Sequence, residues 1–168
     1  MTESPPNLDE LRQVGLFGAV NDEALEFLSA KLVVLQPSAG DVVFHEGDAA
    51  RDMFVVMNGE MEVLKKSHGG IEARVALLGP GDWFGEMSIL DVQPRSATVR
   101  VLAPSRVLRI AASDLDALYR HDVKAYAIIV LNVARELSRR LRVADGLLAD
   151  FVANVMRHYV ERRRPPAS

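Results

Sequence analysis

The amino-acid sequence predicts a mainly β fold of the α+β class, in which an antiparallel β-roll or jelly-roll barrel is flanked by helices. Between Val33 and Ile110 the chain contains roughly seven or eight short β-rich runs separated by turn residues, and this spacing is typical of a small roll or barrel. Helical patterns precede and follow this region, and one helical interruption falls within it. The predicted divisions are a disordered tail at 1–7, N-terminal helices at 8–29, the β-roll at 30–112 and C-terminal helices at 113–164.

Two short helices are predicted before the roll. The first carries apolar residues at helical spacing from Leu8 to Leu16. The second is predicted to begin after Asn21, because an Asn side chain at this position can accept a backbone N–H of the first helical turn. We expect both helices to pack on the roll.

The strands of the roll are predicted from the turn residues between them. The strongest signal is Asn58-Gly59, which is typical of a two-residue hairpin between strands at 53–57 and 61–64. Ala103-Pro104-Ser105 predicts a further turn. Glu60 and Glu62 are expected on a solvated strand face. The other strands are predicted at 33–35, 42–44, 73–78, 97–102 and 106–110.

The C-terminal region is predicted to be helical. Ser113-Asp114-Leu115-Asp116 is a capping signature, and a longer helix is predicted to begin near Asp122. Apolar residues recur along it at alternating spacings of four and three, which is typical of a sustained heptad seam; the alternative is an amphipathic helix folded back on its own roll. The seam consists of Val130, Ala134, Leu137, Leu141, Ala144, Leu148, Phe151 and Val155.

Composition and charge limit the classes of function. The 168 residues suffice for one domain with an appended element, and the net charge of −3 gives no general attraction to nucleic acid or to an anionic membrane. The absence of cysteine excludes disulfides, thiolate metal sites and cysteine nucleophiles. The four histidines have no metal-ligand spacing, and neither a signal peptide nor a transmembrane run is present. We therefore expect a cytoplasmic protein that is not an enzyme and holds no metal or cofactor.

The stretch from Phe84 to Val99 has the composition of an anion pocket. Gly85 permits close approach of a ligand, and the helical turn predicted after it presents unpaired backbone N–H groups. Arg95 offers a planar fork that binds phosphate oxygens bidentately, while Ser88 and Ser96 can add hydroxyl donors. Glu86 would repel a phosphate, so its predicted partner is a hydroxyl or amino group of the same ligand, or a neighbouring cation.

Structural explanations of the same residues stand beside this interpretation. Arg95 could pair with Glu86 or Asp91 across a turn, and Glu86 could stabilise the dipole of its own helix. Ser88 and Ser96 could simply fit a tight turn. These alternatives remain open at the level of sequence.

The residues of this stretch carry a resemblance to a known family. Phe84-Gly85-Glu86, followed about ten residues later by Pro94-Arg95-Ser96-Ala97-Thr98-Val99, resembles the phosphate-binding cassette of the cyclic-nucleotide-binding domain family. This family includes the bacterial catabolite activator, the regulatory subunits of cyclic-nucleotide-dependent kinases and the cyclic-nucleotide-gated channels. The resemblance covers roughly residues 14–143, with turns in family order at Gly40-Asp41, 44–48, Asn58-Gly59 and 79–82.

The resemblance implies a role for each cassette residue. Arg95 would hold the cyclic phosphate, Glu86 would accept the ribose 2′-hydroxyl, and Gly85, Ser88 and Ser96 would complete the phosphate cradle with nearby backbone amides. The ligand-binding residues expected from it are Gly85, Glu86, Met87, Ser88, Arg95, Ser96, Ala97 and Asp145.

The choice of base follows from the resemblance less directly. Ser96 occupies a position that carries a hydroxyl in cGMP-selective members and also in bacterial activators that prefer cAMP. Ala144 and Asp145 stand where those activators place hydroxyl residues against adenine, and Asp145 could accept from an amino group of either base or be solvated. We expect cAMP to be favoured over cGMP.

The resemblance implies a regulatory protein in signal transduction. The family uses the long C-terminal helix as a lid over the base and, in the bacterial activators, as a dimer interface, so we expect both roles here, with a homodimer through helix 122–160. The bacterial activators continue into a winged helix-turn-helix that this sequence does not show, so we expect no specific DNA binding. Because no apolar run reaches transmembrane length and the net charge is negative, we also expect no membrane association. Ligand is expected to reposition the C-terminal helices for an unknown effector protein. The alternatives are a scaffold that oligomerises through the seam without nucleotide, and a DNA-associated protein that uses Arg162-Arg163-Arg164, a run more typical of a solubilising tail.

Overall fold

In the computed structural model, residues 5–162 are described, and they divide into two compact units after Asn132. The first unit is an antiparallel sheet with flanking helices, which confirms the predicted fold class. The second unit is the larger part of one long helix. Most of the predicted tail at 1–7 and the side chains of the Arg162–Arg164 run lie outside the described residues.

The regular elements follow one another as helices, strands and helices again, with one short helix between strands. The helices are α1 (Leu8–Arg12), α2 (Asp22–Ser29), α3 (Met87–Leu90), α4 (Ala112–His121) and α5 (Val123–Arg162), and a single 3-10 turn lies at Gly15–Phe17. The strands are β1 (Val33–Leu35), β2 (Val42–Phe44), β3 (Asp52–Lys66), β4 (Glu72–Leu78), β5 (Trp83–Phe84) and β6 (Thr98–Ala111).

Two long strands, β3 and β6, form the centre of the sheet. They pair antiparallel from Asp52 opposite Ala111 to Leu64 opposite Thr98. β1 and β2 pair with two successive parts of β6, while β4 and β5 pair with two parts of β3. The short strands are therefore held in place by the two long ones.

The predicted hairpin at Asn58-Gly59 is wrong. β3 continues through these residues, and its pairing with β6 shifts register there. Gly59 has a φ of +102°, and a Cβ at this position would lie 2.7 Å from the Cα of Ser105. A positive φ makes Asn-Gly favourable in a hairpin. In this chain the same conformation allows an irregularity in the pairing of one continuous strand.

The turn predicted at Ala103-Pro104-Ser105 is wrong for a related reason. These residues lie within β6, opposite the irregular part of β3, where the register shifts leave Pro104 outside the regular pairing. Proline is compatible with a strand at such a point because no ladder hydrogen bond is required from it. Each long strand was therefore predicted as two short ones.

The interior of the roll is apolar and rich in phenylalanine. The rings of Phe44, Phe54 and Phe84 lie within 5.3–5.9 Å of one another, centroid to centroid. Such offset and tilted pairs are favourable beyond the area that they bury. The buried core around them contains Val56, Met61, Leu78, Val99, Val101 and Val107.

The expectation that Glu62 lies on a solvated strand face is wrong. Glu62 is buried, and its carboxylate accepts hydrogen bonds from Arg100 on β6, at 2.8 Å from Nε. Arg74 on β4 lies 3.7 Å from the same carboxylate. A buried carboxylate is compatible with the sheet here because two cationic side chains from the neighbouring strands surround it.

Side-chain caps begin the helices that flank the roll. Asn21 accepts the Ala24 N–H at 2.8 Å, which confirms the predicted cap of α2. The predicted cap of α4 is wrong in its position: the helix begins at Ala112, and Asp114 accepts the backbone N–H of Ala111 at 2.8 Å, where the signature had placed Ser113 and Asp116. α5 follows directly after Asp122.

The helix α5 has different surroundings in the two units. In the first unit Ala125 and Ile129 are buried, and the Asn132 side-chain amide donates to the carbonyl of Leu16 at 3.0 Å. In the second unit the apolar seam is exposed from Leu141 to Val155. None of the helices within residues 5–162 combines the length and apolar character needed to cross a membrane.

Candidate functional site

The candidate site is built on the segment that connects β5 to β6. Gly85 follows β5 with a φ of +80°, a conformation that favours glycine. A Cβ at Gly85 would lie 2.6 Å from Nη1 of Arg95 and 3.3 Å from the carbonyl oxygen of Asp52. Only glycine leaves room for the arginine side chain at this point.

Arg95 is directed into the roll, where it is only 3% exposed. Its Nη1 donates to the carbonyls of Asp52 at 2.7 Å and Gly85 at 3.0 Å, and its Nη2 pairs with the Asp52 carboxylate. The guanidinium carbon lies 4.0 Å from the ring centroid of Phe44, within the range of a cation–π interaction. The arginine is therefore held by charge, by hydrogen bonds and by an aromatic face.

The environment of Arg95 affects its pKa and leaves one of its hydrogen-bond donors without a partner in the described part of the chain. Desolvation by burial lowers the pKa of Arg95, and the nearby Asp52 carboxylate acts in the opposite direction. An arginine side chain nevertheless stays protonated in proteins. Its Nε is buried and has no hydrogen-bond partner among residues 5–162, so the guanidinium keeps a donor for an incoming acceptor.

Asp52 is the important residue that the sequence analysis missed. It begins β3, and its carboxylate pairs with Arg95 through one oxygen and accepts from Nε of Arg109 at 2.6 Å through the other. The alternatives considered from sequence were Glu86 and Asp91, which are close to Arg95 along the chain. An acidic residue 43 positions away gives no local signal of this pairing.

Glu86 is buried to the same extent as Arg95, at 3% exposed. It is the residue before α3, and its carbonyl oxygen accepts the N–H groups of Ile89 at 3.0 Å and Leu90 at 3.1 Å. Ser88 in the first turn is also buried. A carboxylate and a guanidinium are thus buried in one short segment, which is costly unless each has a function or a partner.

The remaining predicted residues fall into two groups. Met87 and Ser96 are exposed, and the Ser96 hydroxyl lies 3.7 Å from the sulfur of Met87; Ala97 is half-buried beside them. The first unit thus brings 85–88 and 95–97 together. Asp145 lies in the second unit, where its side chain is exposed.

The chemistry of the cluster is that of binding. A buried guanidinium with an available donor suits an anionic group, and a buried carboxylate nearby suits a hydroxyl or amino group. Within residues 5–162, no three His, Cys, Asp or Glu side chains are grouped so as to hold a metal ion. The arrangement favours a ligand that combines an anionic centre with a hydrogen-bond donor.

Comparison with known proteins agrees with this description. The sequence model of the family described as "Cyclic nucleotide-binding domain" matches residues 35–122. The chain is 35% identical over 124 residues to the "Cyclic AMP receptor protein" of Thermus thermophilus, covering 74% of this chain and 54% of that protein. It is 30% identical over 146 residues to the "CRP-like cAMP-activated global transcriptional regulator" of Mycobacterium tuberculosis, covering 86% of this chain and 63% of that protein. It therefore spans little more than half the length of these relatives.

Solved structures with the same fold extend the comparison. The catabolite activator protein of Thermus thermophilus superposes with a TM-score of 0.71 at 32% identity, over 83% of this chain and 63% of that one. The regulatory domain of Toxoplasma gondii PKA, solved with cAMP, gives a TM-score of 0.61 at 28% identity, over 66% and 42% of the two chains. A cyclic nucleotide-binding domain of Methylobacillus flagellatus, at 24% identity and a TM-score of 0.76 over 85% and 81%, shows the likeness of fold alone.

Proposed function

Since the chain belongs to the cyclic nucleotide-binding domain family, we propose that it is a cyclic-nucleotide receptor that binds cAMP in preference to cGMP. The observation that carries this proposal is the burial of Arg95 and Glu86, each 3% exposed, on either side of α3. Asp52 balances the charge of Arg95, yet Nε of Arg95 is buried without a partner among residues 5–162, which leaves a donor for an anionic ligand. The scaffold alternative gives this donor no role.

In the proposed complex the cyclic phosphate accepts from Arg95, and Glu86 accepts from the ribose 2′-hydroxyl. Gly85 allows the ligand to approach the backbone, and Ser88 and Ser96 contribute to the phosphate cradle. Met87 and Ala97 contact the ligand beside them in this proposed complex. Asp52 does not contact the ligand in this arrangement; it holds the guanidinium through two of its groups.

The preference for cAMP is supported by the relatives. The Thermus thermophilus relative is a cyclic AMP receptor protein, and the Mycobacterium tuberculosis relative is cAMP-activated. For the base itself we propose Asp145, whose carboxylate can accept from an amino group of either purine. This contact alone does not select the base, so the preference must be measured.

The proposal is tested by isothermal titration calorimetry with cAMP and cGMP in parallel. We expect saturable binding of cAMP, and either weaker binding of cGMP or none. Folded protein that is free of copurified nucleotide and gives neither heat nor thermal stabilisation with either ligand would contradict the receptor function and favour the scaffold. Binding tighter for cGMP would overturn only the preference.

We expect Glu86→Ala to weaken cAMP binding by roughly 10- to 150-fold, because a hydrogen bond to a charged group contributes about 1.5–3 kcal/mol. The measurement is the dissociation constant by calorimetry. Glu60→Ala is the matched control, since Glu60 is an exposed carboxylate on β3 and its removal should leave the affinity unchanged. An unaltered affinity in Glu86→Ala would exclude the proposed contact to the ribose.

For signalling we propose that two copies associate through the exposed seam of α5 and that ligand changes the arrangement of the C-terminal helices for an effector protein. We expect the 18.5 kDa chain to sediment as a dimer. Leu148→Glu should shift the equilibrium to monomer, because it places a charge in the seam, whereas Ala153→Glu on the opposite side of the helix should not. A monomer mass at all concentrations would remove the dimer from the proposal.

A further inference from the structure

A turn outside the ligand-binding segment holds the backbone of Arg95. The turn at residues 45–48 joins β2 to the loop before β3. The Gly47 N–H donates to the Arg95 carbonyl at 2.9 Å, and the Arg95 N–H donates to the Asp48 carbonyl at 2.8 Å. Because both backbone groups of Arg95 are bound by this turn, the position of the guanidinium depends on the position of the turn.

The turn is itself fixed by the side chain of Glu46. One carboxylate oxygen accepts from Nζ of Lys65 at 2.6 Å, and the other accepts the backbone N–H of Lys66 at 3.0 Å. The Glu46 N–H also donates to the hydroxyl of Thr98 at 2.9 Å. Glu46 thus connects the turn to β3 and to the start of β6.

The ammonium group of Lys65 has a second partner in the candidate site. Besides Glu46 it donates to the backbone carbonyl of Ser96, the residue after Arg95. The hydrogen bond from Lys65, followed by that from the Lys66 backbone, lowers the pKa of Glu46, so this carboxylate is ionised at neutral pH. Lys65 therefore connects β3 to Ser96 directly, and to the backbone of Arg95 through Glu46.

We propose that Glu46 and Lys65 are positioning residues for the phosphate contact: they hold the backbone of Arg95 and Ser96 and touch no ligand themselves. This inference rests on the proposed receptor function and adds two residues that are not among the ligand-binding residues expected from the resemblance. The side chain of Glu46 is 25% exposed and that of Lys65 is 48% exposed, so neither acts as a buried core residue.

A purely electrostatic role would have a different signature. If Lys65 acted only as a positive charge near the phosphate, removal of Glu46 would leave that charge uncompensated and would tighten the binding of an anionic ligand. If the pair acts by positioning, removal of either side chain weakens binding. The two explanations predict opposite signs for Glu46→Ala.

The experiment is calorimetric titration of cAMP into wild type, Glu46→Ala, Lys65→Met and Lys65→Arg, with Lys66→Met as control. We expect Glu46→Ala and Lys65→Met each to weaken binding by about three- to tenfold, less than a buried charged hydrogen bond would give because the pair is partly exposed. Lys65→Arg should restore affinity to within about twofold, since it keeps the charge and the donors. Lys66→Met removes the same charge one residue away but keeps the backbone N–H that Glu46 accepts, and should bind as wild type.

Amide hydrogen exchange supplies a measurement that does not depend on ligand. We expect the backbone N–H of Arg95 to exchange faster in Glu46→Ala and Lys65→Met than in wild type, while the N–H groups of the core strands stay protected. Lys65→Gln takes the place of Lys65→Met if the latter does not fold.

The outcomes separate this inference from the receptor function. Tighter binding in Glu46→Ala, or unchanged binding in both variants, would overturn the positioning role while the wild type still bound cAMP. Absence of binding in the wild type would reject the receptor function and the positioning role with it.

Discussion

Arg95→Ala is expected to weaken cAMP binding by roughly two to four orders of magnitude, because removing one partner of a buried charge pair costs about 3–5 kcal/mol. In the proposed complex the phosphate would lose its guanidinium, and the Glu86 carboxylate would remain buried nearby. The measurement is calorimetric, against the same preparation of wild type. The loss should exceed that in Glu86→Ala.

Arg95→Lys separates charge from geometry. A lysine keeps the positive charge but has no planar group that could donate to the Asp52 carbonyl, the Asp52 carboxylate and a phosphate at the same time. We therefore expect Arg95→Lys to restore only a small part of the affinity. Asp52 keeps its contact with Arg109, and both variants should remain folded by circular dichroism. Wild-type affinity in Arg95→Ala would show that Arg95 serves only to neutralise Asp52.

We expect Gly59→Ala to lower the free energy of unfolding by about 3 kcal/mol or more, the largest effect on stability that we predict for a single methyl group. The new Cβ would lie 2.0 Å from Oγ and 2.7 Å from Cα of Ser105, so that backbone as well as side chain would have to move. The φ of +102° adds strain for any residue with a Cβ. Urea denaturation provides the measurement.

Gly70→Ala is the matched control. Gly70 also has a positive φ, of +82°, but a Cβ there would meet nothing within 4 Å. Its expected cost is therefore the backbone strain alone, about 1–2 kcal/mol. If both variants lost the same small amount of unfolding free energy, β3 and β6 would be able to move apart at Gly59 at little energetic cost. That result would contradict the close packing of Gly59 against Ser105.

The candidate site was predictable from sequence wherever its residues are neighbours along the chain. Gly85, Glu86 and Arg95 form a local pattern whose chemistry is evident without a structure, and the structure brings them together. Asp52 could not be found in this way, because it comes close to Gly85 and Arg95 only through the pairing of β3 with β5, which sets Phe54 opposite Phe84. Glu62 was misjudged for a similar reason, since its cationic neighbours lie on two other strands.

The strand boundaries show where local turn signals fail. Asn58-Gly59 and Pro104 each have the residue types of a turn, yet both occur inside long strands. A turn signal reports the backbone conformations that a residue permits, and a positive φ or a missing N–H is equally compatible with an irregular strand. Only the register of the two strands against each other distinguishes the two cases.

The pairing of β3 with β6 also determines the order in which the molecule can fold. Because Leu64 pairs with Thr98 and Asp52 with Ala111, the segment that contains Gly85, Glu86 and Arg95 lies within the loop that this pairing closes. Contacts between residues so distant in sequence form slowly, since the closure entropy of the loop must be overcome first. The segment of the site is therefore enclosed in a loop that closes only when the two central strands have joined. A ligand that binds only the folded chain would stabilise the finished fold by mass action.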